Sequence, residues 1–429
     1  MKVFLDSVGC RLNQSEIETY ARQFVAAGHT LVAAAEEADL VLVNTCAVTA
    51  AAASDSRSKI RQAARAGAGE IVVTGCWSTL YPHAAQNLPA VRRVIPNAEK
   101  DTLVSNLLGL APEVFDVEPV ARQPVPGARL RTRAFIKVQD GCDNRCTFCI
   151  TTVARGAGRS RPLPQILADI RAALNGGSQE IVLTGVHLGS WGQDFPGELR
   201  LRHLVEAILT ETDAPRLRLS SLEPWDLDAE FLHLWENPRL CRHLHLPLQS
   251  GCAATLRRMA RKTTPEAFVA LIEAARRTVP DMAITTDIIT GFPGESEAEF
   301  AESLEFVRQM NFAGGHVFTY SARPGTAAAR MAGQVDFGVR KARNAQMQAV
   351  FAEAATRYQA NYIGRVLPVL WESAVAIGPD GWQMSGLTDN FLRVRAQAPR
   401  RVWNQITPVR LSRRDSDGLY GQLLGVVGD

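Results

Sequence analysis

The sequence predicts an α/β protein in three parts: an N-terminal open parallel α/β domain, a central partial (β/α)6 barrel and a small C-terminal β-barrel. Three observations predict this fold class. Short apolar strands alternate with helices over residues 1–105, six further strand candidates are each followed by helix-like sequence, and five short strands with Gly, Asp and Pro turns follow Gly364. A chain of 429 residues is long enough for two or three domains.

The N-terminal part is predicted from three β-branched, continuously apolar runs, which are typical of buried parallel strands. The runs read KVFLDSV, ADLVLVNT and EIVVTG. Between the first two, Ser15 and Glu18 form the pattern of a capping box, apolar residues recur at helical spacing, and Gly28 marks a helix end. Strands that alternate with helices predict an open α/β domain over residues 1–110.

The central part begins after a linker that is predicted over residues 111–131, where Pro and Gly are frequent. Six strand candidates follow: FIKVQ (135–139), EIVLTG (180–185), RLRLSS (216–221), HLHLPL (243–248), AITTDII (283–289) and GGHVFTY (314–320). Thr264 and Ser296 are predicted to cap two of the intervening helices. Six successive βα units imply a parallel barrel or partial barrel over residues 132–362, with right-handed crossovers.

The C-terminal part follows a long helix that is predicted at about 336–362. Five short runs then read as strands: RVLPVLWES, GWQMSG, FLRVRAQ, ITPVRLSR and LYGQLLG. Five short strands separated by turn residues indicate a small β-barrel over residues 363–429.

The composition is ordinary for a globular protein, with 46% hydrophobic and 21% charged residues. No run approaches the roughly 18 to 20 apolar residues of a membrane span. The start, MKVFLDSVGC, reads as a strand and has no signal-peptide pattern. We therefore expect a cytoplasmic protein that has no membrane partner.

The net charge of +3 is too small to predict nucleic-acid binding, but the distribution of arginines is uneven. Residues 390–414 contain seven arginines and no acidic residue: Arg393, Arg395, Arg400, Arg401, Arg410, Arg413 and Arg414. A solvated surface and a phosphate-binding surface both fit this run.

Three of the eight cysteines lie in the segment GCDNRCTFCI, just after the first strand of the predicted barrel. They are Cys142, Cys146 and Cys149, and barrel enzymes place active-site loops at this position. Zinc and four-iron clusters usually take four protein ligands, but no Cys or His follows within 30 residues. A four-iron cluster held by three cysteines would leave one iron open to a substrate or cofactor.

A second group of three cysteines is spread along the N-terminal part. Cys10, Cys46 and Cys76 each stand just beyond an apolar strand. Because the carboxyl ends of parallel strands share one edge of a sheet, these cysteines should converge there. They predict a second cluster with an open iron. Cys241 and Cys252 lack partners at ligand spacing, and we interpret them as structural.

The pattern CxxxCxFC, together with the six predicted βα units, resembles the radical S-adenosylmethionine (SAM) superfamily. The resemblance implies that the methionine part of SAM chelates the open iron and that reduction cleaves SAM to a 5′-deoxyadenosyl radical. It implies that an aromatic residue lies beside the adenine and that strand ends hold the rest of SAM, although each such segment alone also fits a plain turn. The matching positions are Phe148, Thr184, Gly185, Val186, Ser220, Glu223, Gln249 and Gly291.

Two three-cysteine sites in this order resemble the methylthiotransferase family of radical SAM enzymes, over the whole chain. The matching segments are GCRLNQSEIE, NTCAV, TGCW, GCDNRCTFCI, ARGAGRSRP, LTGVHLG, HLHLPLQSG and DIITGFPGE. The resemblance implies a TRAM-like C-terminal barrel that binds RNA. It also implies that SAM serves as radical source and methyl donor, and that a [4Fe-4S] cluster at each site serves radical formation or sulfur transfer.

Several polar positions are left with two interpretations. Arg155, Arg159 and Arg161 could contact SAM or RNA or could form surface salt bridges. His187 could contact substrate but also fits a satisfied histidine at a strand end. Asn13 and Glu16 are candidates for shaping the Cys10 loop, and Trp77 for shielding a cluster.

Family members modify a tRNA adenosine beside the anticodon or an aspartate of a ribosomal protein. Within the family, the segments GCRLN and SGLTDNFLRV resemble the subgroup acting on N6-threonylcarbamoyladenosine at position 37. The isopentenyladenosine subgroup usually has a segment closer to GCQMN, and the ribosomal-protein subgroup one closer to GCPKN.

The expected partners are tRNA, an electron donor such as flavodoxin or ferredoxin, and a sulfur source, but not DNA. The alternatives are the other two substrates and a non-enzymatic iron–sulfur RNA-binding protein.

Overall fold

A computed structural model describes residues 1–115, 132–378, 381–415 and 418–425. Its elements form an N-terminal parallel sheet, a central partial barrel and a C-terminal closed barrel, which confirms the predicted fold class. Within these residues, every helix is too short or too polar to cross a membrane.

The N-terminal sheet has five parallel strands in the order β2-β1-β3-β4-β5. The strands are β1 (Lys2–Ser7), β2 (Thr30–Leu31), β3 (Leu40–Thr45), β4 (Glu70–Gly75) and β5 (Val91–Ile95). The helices are α1 (Arg11–Ala26), α2 (Ala50–Arg65), α3 (Cys76–Leu80), α4 (Pro82–Gln86) and α5 (Leu103–Leu108). All six residues of β3 are buried, because helices cover both faces of the sheet.

The predicted capping box at Ser15 is wrong, because α1 begins at Arg11 and Cys10 occupies the N-cap position. Ser15 lies inside the helix, and its Oγ accepts a hydrogen bond from the backbone N–H of Lys137 at 3.0 Å. The hydroxyl therefore joins α1 to the first strand of the central barrel. The predicted end near Gly28 fits, since α1 ends at Ala26.

The central strands are all parallel apart from one short antiparallel pair, β7 with β8. They are β6 (Arg133–Lys137), β7 (Gln139–Asp140), β8 (Arg159–Ser160), β9 (Glu180–Thr184), β10 (Arg216–Leu219), β11 (His243–His245), β12 (Ala283–Thr290) and β13 (Gly314–Thr319). One sheet has the order β10-β9-β6 and another β11-β12-β13. A parallel bridge between Ser221 and His245 joins them into a curved wall of six strands in chain order.

Most of the central helices pack on the outside of this wall, and the first lies at its rim against the N-terminal sheet. They are α6 (Thr151–Arg155), α7 (Leu163–Asn175), α8 (Leu201–Glu211), α9 (Ala229–Leu232), α10 (Ala253–Arg258), α11 (Pro265–Thr278), α12 (Glu297–Met310) and α13 (Phe337–Ala360). The predicted caps are confirmed: the Thr264 hydroxyl accepts from the Ala267 N–H, and Ser296 forms a reciprocal capping box with Glu299.

The C-terminal barrel closes in the order β14-β15-β16-β18-β17 through antiparallel pairing of its first strand with β17. Its strands are β14 (Val366–Gly378), β15 (Gly381–Thr388), β16 (Arg393–Ala398), β17 (Ile406–Asp415) and β18 (Gly418–Leu423). They match the five predicted runs. Most of the predicted linker, residues 116–131, lies outside the described residues, and the domain boundaries remain a prediction.

Candidate active site

Cys10, Cys46 and Cys76 stand beyond the carboxyl ends of three neighbouring strands, β1, β3 and β4. Cys46 and Cys76 follow their strands directly and are buried, whereas Cys10 follows after a short loop and is exposed. The loop passes close to its neighbour, since a Cβ on Gly9 would lie 2.6 Å from the Cys46 Sγ. Gly9 has a φ of +103°, which favours glycine.

Two asparagines hold the loops of this first cysteine group. The Asn13 amide donates to the carbonyl oxygens of Val8 at 2.7 Å and Thr45 at 3.1 Å, which ties the ends of β1 and β3 together. The Asn97 amide contacts the Cys76 Sγ at 3.7 Å. An N–H directed at sulfur stabilises a thiolate, so this contact suits a metal ligand.

The cysteines of this group also influence one another electrostatically. Burial and, to a smaller extent, the nearby Cys10 and Cys76 together raise the pKa of Cys46 to about 11. Among the residues described, no three His, Cys, Asp or Glu side chains are close enough to hold a single metal ion. Cysteines that each bind a different iron of a cluster need wider spacing, and iron would remove the thiol protons.

The second cysteine group lies on the loop between β7 and α6, at the rim of the partial barrel. The Cys142 Sγ accepts from the Asn144 N–H at 3.4 Å, and the Cys146 Sγ accepts from Arg261 Nη1 at 3.6 Å. All three cysteines are partly exposed. Sulfurs that receive N–H donors and stay partly exposed fit a cluster with a free coordination position.

Two further side chains hold this rim. Arg261 forms a two-pronged ion pair with Glu223, at 2.6 and 3.1 Å, so that Glu223 is linked through Arg261 to Cys146. His187 Nε2 lies 2.8 Å from Asp226 Oδ2. Burial lowers the pKa of His187, but hydrogen bonds to Asp226 and Cys142 outweigh it and raise the pKa to about 10.

The residues predicted to hold SAM follow neighbouring strands of the same rim. Thr184 ends β9, and the backbone N–H of Ser220, which follows β10, donates to the carbonyl oxygen of Leu183 in β9 at 3.0 Å. The Ser220 hydroxyl is buried and has no hydrogen-bond partner in the described part of the chain, as expected where a polar ligand would complete the site. Gly185 lies against Gln139, where a Cβ would come within 3.0 Å of the side chain.

The other predicted SAM residues have different surroundings. Phe148 packs edge-on against Phe292, with ring centroids 6.5 Å apart. Gln249, which forms an isolated parallel bridge with Ile288 beyond the end of β11, has an unusual φ of +77°. Gly291 is buried beside Arg340, and its N–H is bonded to Glu295, so its neighbours are protein groups. Val186 is partly buried at the rim.

Helix α6 connects the two cysteine groups, because it begins two residues after Cys149 and ends among the N-terminal loops. The Asn97 amide that contacts Cys76 also donates to the Ala154 carbonyl at 2.7 Å. Arg155 Nη2 donates to the Asn13 side chain at 2.8 Å. One short helix thus contacts the residues that hold two of the N-terminal cysteine loops.

Arg155 is buried, so of its two interpretations the surface salt bridge is wrong, and contact with SAM or RNA stays a prediction. Its guanidinium contacts Glu16 at 3.0 Å and Asp140 at 2.8 Å. Lys100 binds the same Glu16 carboxylate at 2.5 Å. Arg159 is exposed, and Arg161 pairs with Asp169.

Comparisons with known proteins fit this arrangement. A model of the radical SAM superfamily matches residues 136–307, and a model described as uncharacterized protein family UPF0004 matches residues 2–95. Threonylcarbamoyladenosine tRNA methylthiotransferase MtaB of Bacillus subtilis is 33% identical, with 100% of this chain and 97% of that protein covered. This chain belongs to the radical SAM methylthiotransferase family.

Other members of the radical SAM methylthiotransferase family show similar likeness. MtaB of Thermotoga maritima is 37% identical over 88% of each chain, and the tRNA-2-methylthio-N(6)-dimethylallyladenosine synthase of Maricaulis maris is 32% identical over 99% and 97%. The radical SAM methyltransferase TsrM of Kitasatospora setae shares the fold, with a TM-score of 0.60, 15% identity and coverage of 76% and 75%. As a radical SAM enzyme, the protein uses a [4Fe-4S] cluster and SAM.

Some site residues were not predicted from the sequence. Asn97 lies two residues beyond β5, so the strand-end rule that found the cysteines could have found it as well. Arg261 and Asp226 are far in sequence from the cysteine loop, and no spacing pattern indicates them. Cys241 and Cys252 are buried, as a structural role requires.

The seven arginines of residues 390–414 are spread over the barrel. Arg395 and Arg413 flank Tyr420 on neighbouring strands, and the Arg413 guanidinium lies 4.1 Å from the centroid of its ring. The others vary in their contacts: Arg393 pairs with Glu372, Arg400 is partly buried, Arg401 lies over Trp403, Arg410 contacts Gly364 and Arg414 contacts Gln359.

Proposed function

We propose that this protein is a tRNA methylthiotransferase that adds a 2-methylthio group to N6-threonylcarbamoyladenosine at position 37. The observation that carries the proposal is the connection of two three-cysteine groups through α6. A radical site and a sulfur site must act on one carbon atom, so they must be held together. The names of the relatives from Bacillus and Thermotoga support this substrate.

In this proposal, Cys142, Cys146 and Cys149 hold one [4Fe-4S] cluster, and Cys10, Cys46 and Cys76 hold another. When bound, the clusters and SAM supply hydrogen abstraction from an unactivated C–H and a methylated sulfur. The cysteines fit these clusters, because Cys10, Cys46 and Cys76 lie beyond three neighbouring strand ends and the sulfurs of Cys76, Cys142 and Cys146 receive N–H donors.

The chain's own residues position these groups and exclude water. Arg261 is placed to direct a positive charge at Cys146, and Glu223 fixes its orientation. The buried Ser220 hydroxyl is available to a ligand hydroxyl, and the strand ends offer backbone groups to the methionine part of SAM. Trp77, which is buried beside Cys76, shields the N-terminal site.

The C-terminal barrel is proposed to bind tRNA, as a TRAM-like module. The row of Arg395, Tyr420 and Arg413 offers positive charge around an aromatic ring, a combination that suits RNA phosphates and bases. We place the reaction in the cytoplasm, where tRNA is available. An electron donor such as flavodoxin or ferredoxin and a sulfur source would complete the cycle.

The test is mass spectrometry of tRNA nucleosides from cells with and without this gene. We expect the methylthiolated threonylcarbamoyl nucleoside to disappear and its precursor to accumulate. Loss of the methylthio-isopentenyl nucleoside would instead assign the substrate of the Maricaulis relative. Unchanged tRNA nucleosides would contradict the proposal and favour a ribosomal protein as substrate.

A further inference from the structure

The open side of the partial barrel lies between its two terminal strands, β6 and β13. Ala134 and Ile136 of β6 pack in the core against the outer helices. Because side chains alternate along a strand, Arg133 and Phe135 face the inner side. By the same reasoning Asp287 of β12 and His316 of β13, which contact each other, face inward from the opposite side.

The carboxylates on this inner side already have cationic or imidazole partners. Glu180 is bound by Arg218 through two contacts at 2.7 and 3.1 Å. Glu372 is bound by Arg133 at 2.6 Å. Asp287 contacts His245 at 3.2 Å and His316 at 3.1 Å.

Arg11 is a cationic side chain of this opening that pairs with none of these carboxylates. It is the first residue of α1, and its partly buried guanidinium lies 5.8 Å from the centroid of the Phe135 ring. Its side chain makes neither a hydrogen bond nor an ion pair with any described residue. Burial and the neighbouring Arg133 lower its pKa, although an arginine stays charged.

Arg11 belongs to α1 of the N-terminal part, although its guanidinium lies over a ring of β6 in the central barrel. It directly follows Cys10 in the chain. An anion bound by Arg11 would therefore lie between the N-terminal cysteine group and β6, where the two parts of the chain meet.

We propose that Arg11 binds the carboxylate of the threonylcarbamoyl group and so selects this adenosine over uncharged analogues. The inference rests on the proposed function and names the residue that recognises the substrate of that reaction. A guanidinium offers paired N–H donors that match a carboxylate, and an apolar isopentenyl group would leave those donors unpaired. An RNA phosphate is the other anion that could occupy the position.

The experiment measures binding of three anticodon stem-loop RNAs to the full-length, cluster-reconstituted protein by fluorescence anisotropy. The RNAs carry threonylcarbamoyladenosine, its neutral methyl ester, or unmodified adenosine at position 37. We expect the wild-type protein to bind the first RNA about tenfold more tightly than the other two, as a hydrogen-bonded charge pair implies. In Arg11→Gln this preference should vanish while the affinity for unmodified RNA stays unchanged.

The matched control is Arg57→Gln, because the Arg57 guanidinium also lies 5.8 Å from an aromatic centroid, that of Trp77. This control should keep the tenfold preference, and Arg11→Lys should keep part of it. Iron content verifies that each variant holds its clusters.

Three results would overturn the inference. The first is an Arg11→Gln protein that still prefers the charged RNA, and the second is a wild-type protein that binds the methyl ester as tightly as the acid. The third is an equal loss for all three RNAs in Arg11→Gln, which would assign Arg11 to a phosphate. A wild-type protein that shows no preference and forms no methylthio product would instead refute the proposed function itself.

Discussion

At the scale of single residues, the six cysteines form two groups, and the two groups are expected to have different functions. Cys146 belongs to the loop at the barrel rim, where Arg261 contacts its sulfur. Cys46 is buried at the end of β3 in the N-terminal sheet. The two groups are connected through α6 but formed by different domains, so their losses should be separable.

We predict that Cys146→Ala abolishes SAM cleavage, whereas Cys46→Ala retains SAM cleavage and loses methylthio transfer. Each change should lower bound iron by about half, because one of two clusters is affected. The measurements are 5′-deoxyadenosine formation, methylthio product and iron content. Cys252→Ala is the control and should keep all three. Methylthio product from Cys46→Ala would remove the second-cluster assignment.

Glu16 is a buried carboxylate whose three positive neighbours come from three different parts of the chain. Lys100, Lys137 and Arg155 lie within 3.6 Å of its oxygens. Burial alone raises the pKa of Glu16, but these three cations outweigh burial and hold the pKa well below its usual range. The carboxylate is therefore ionised at neutral pH and balances buried positive charge.

We predict that Glu16→Gln lowers the free energy of unfolding by about 3 to 5 kcal/mol at pH 7, because Lys100 and Arg155 would stay buried without it. Urea denaturation measures this. Glu70→Gln, which breaks the exposed contact with Arg93 at 3.8 Å, should cost less than about 1 kcal/mol.

Wild type and Glu16→Gln together also test whether Glu16 is ionised. A depressed pKa stabilises the fold above the pKa of the unfolded state, about 4.3 for Glu, and the stabilisation is lost as the pH falls further. The stability difference between wild type and Glu16→Gln should be full at pH 7 and shrink below about pH 4. A pH-independent difference would mean that packing and not charge is responsible.

At the scale of elements, the short helix α6 contacts the residues that hold two of the N-terminal cysteine loops. Its Ala154 carbonyl accepts from Asn97, and its Arg155 reaches Asn13. Sequence pattern could not show this, because a five-residue helix has no periodicity to detect and its contacts are distant in sequence. The longer helices α11, α12 and α13 were predictable, because their caps and periodicity are local signals.

We predict that Arg155→Lys keeps SAM cleavage within about twofold of wild type but slows methylthio transfer by roughly a hundredfold. A single ammonium cannot reproduce the fork that reaches Asn13, Glu16 and Asp140 together, and a misplacement of about 1 Å can have this effect. Both rates are measured on protein of verified iron content. Arg161→Lys, in the same segment, is the control because Arg161 pairs with Asp169 instead. Equal loss of both rates would contradict a role specific to the N-terminal site.

At the scale of the whole molecule, the C-terminal barrel closes one end of the central barrel. Arg218 binds Glu180 and also donates to the carbonyl oxygens of Thr388 and Asp389. The Phe391 ring stacks on His243 with centroids 4.1 Å apart. Phe391 has a φ of +65°, an unusual backbone conformation for a bulky residue, which this stacking helps to hold.

We predict that Arg218→Met destabilises the protein by about 3 kcal/mol and makes the C-terminal barrel susceptible to proteolysis. The change removes the closest partner of a fully buried carboxylate and the donors for two backbone oxygens. Urea denaturation and limited proteolysis measure the two effects. Arg171→Met should change neither, since its contact with Glu211 at 3.7 Å is exposed. An unchanged proteolysis pattern would show that Arg218 does not join the domains.

From the sequence alone the fold class and the caps of α11 and α12 were predictable, and the six cysteines were identified as candidate ligands, because each depends on local pattern or on the rule that parallel strands end at one edge. The start of α1 was mispredicted, because Ser15 serves a contact with β6 rather than a cap. The folded chain alone shows that Asn97, Arg155 and Arg261 lie at the cysteine groups and that Arg11 has no ion-pair partner among the described residues. These facts depend on side chains that the fold brings together from distant positions, and no sequence spacing encodes such contacts.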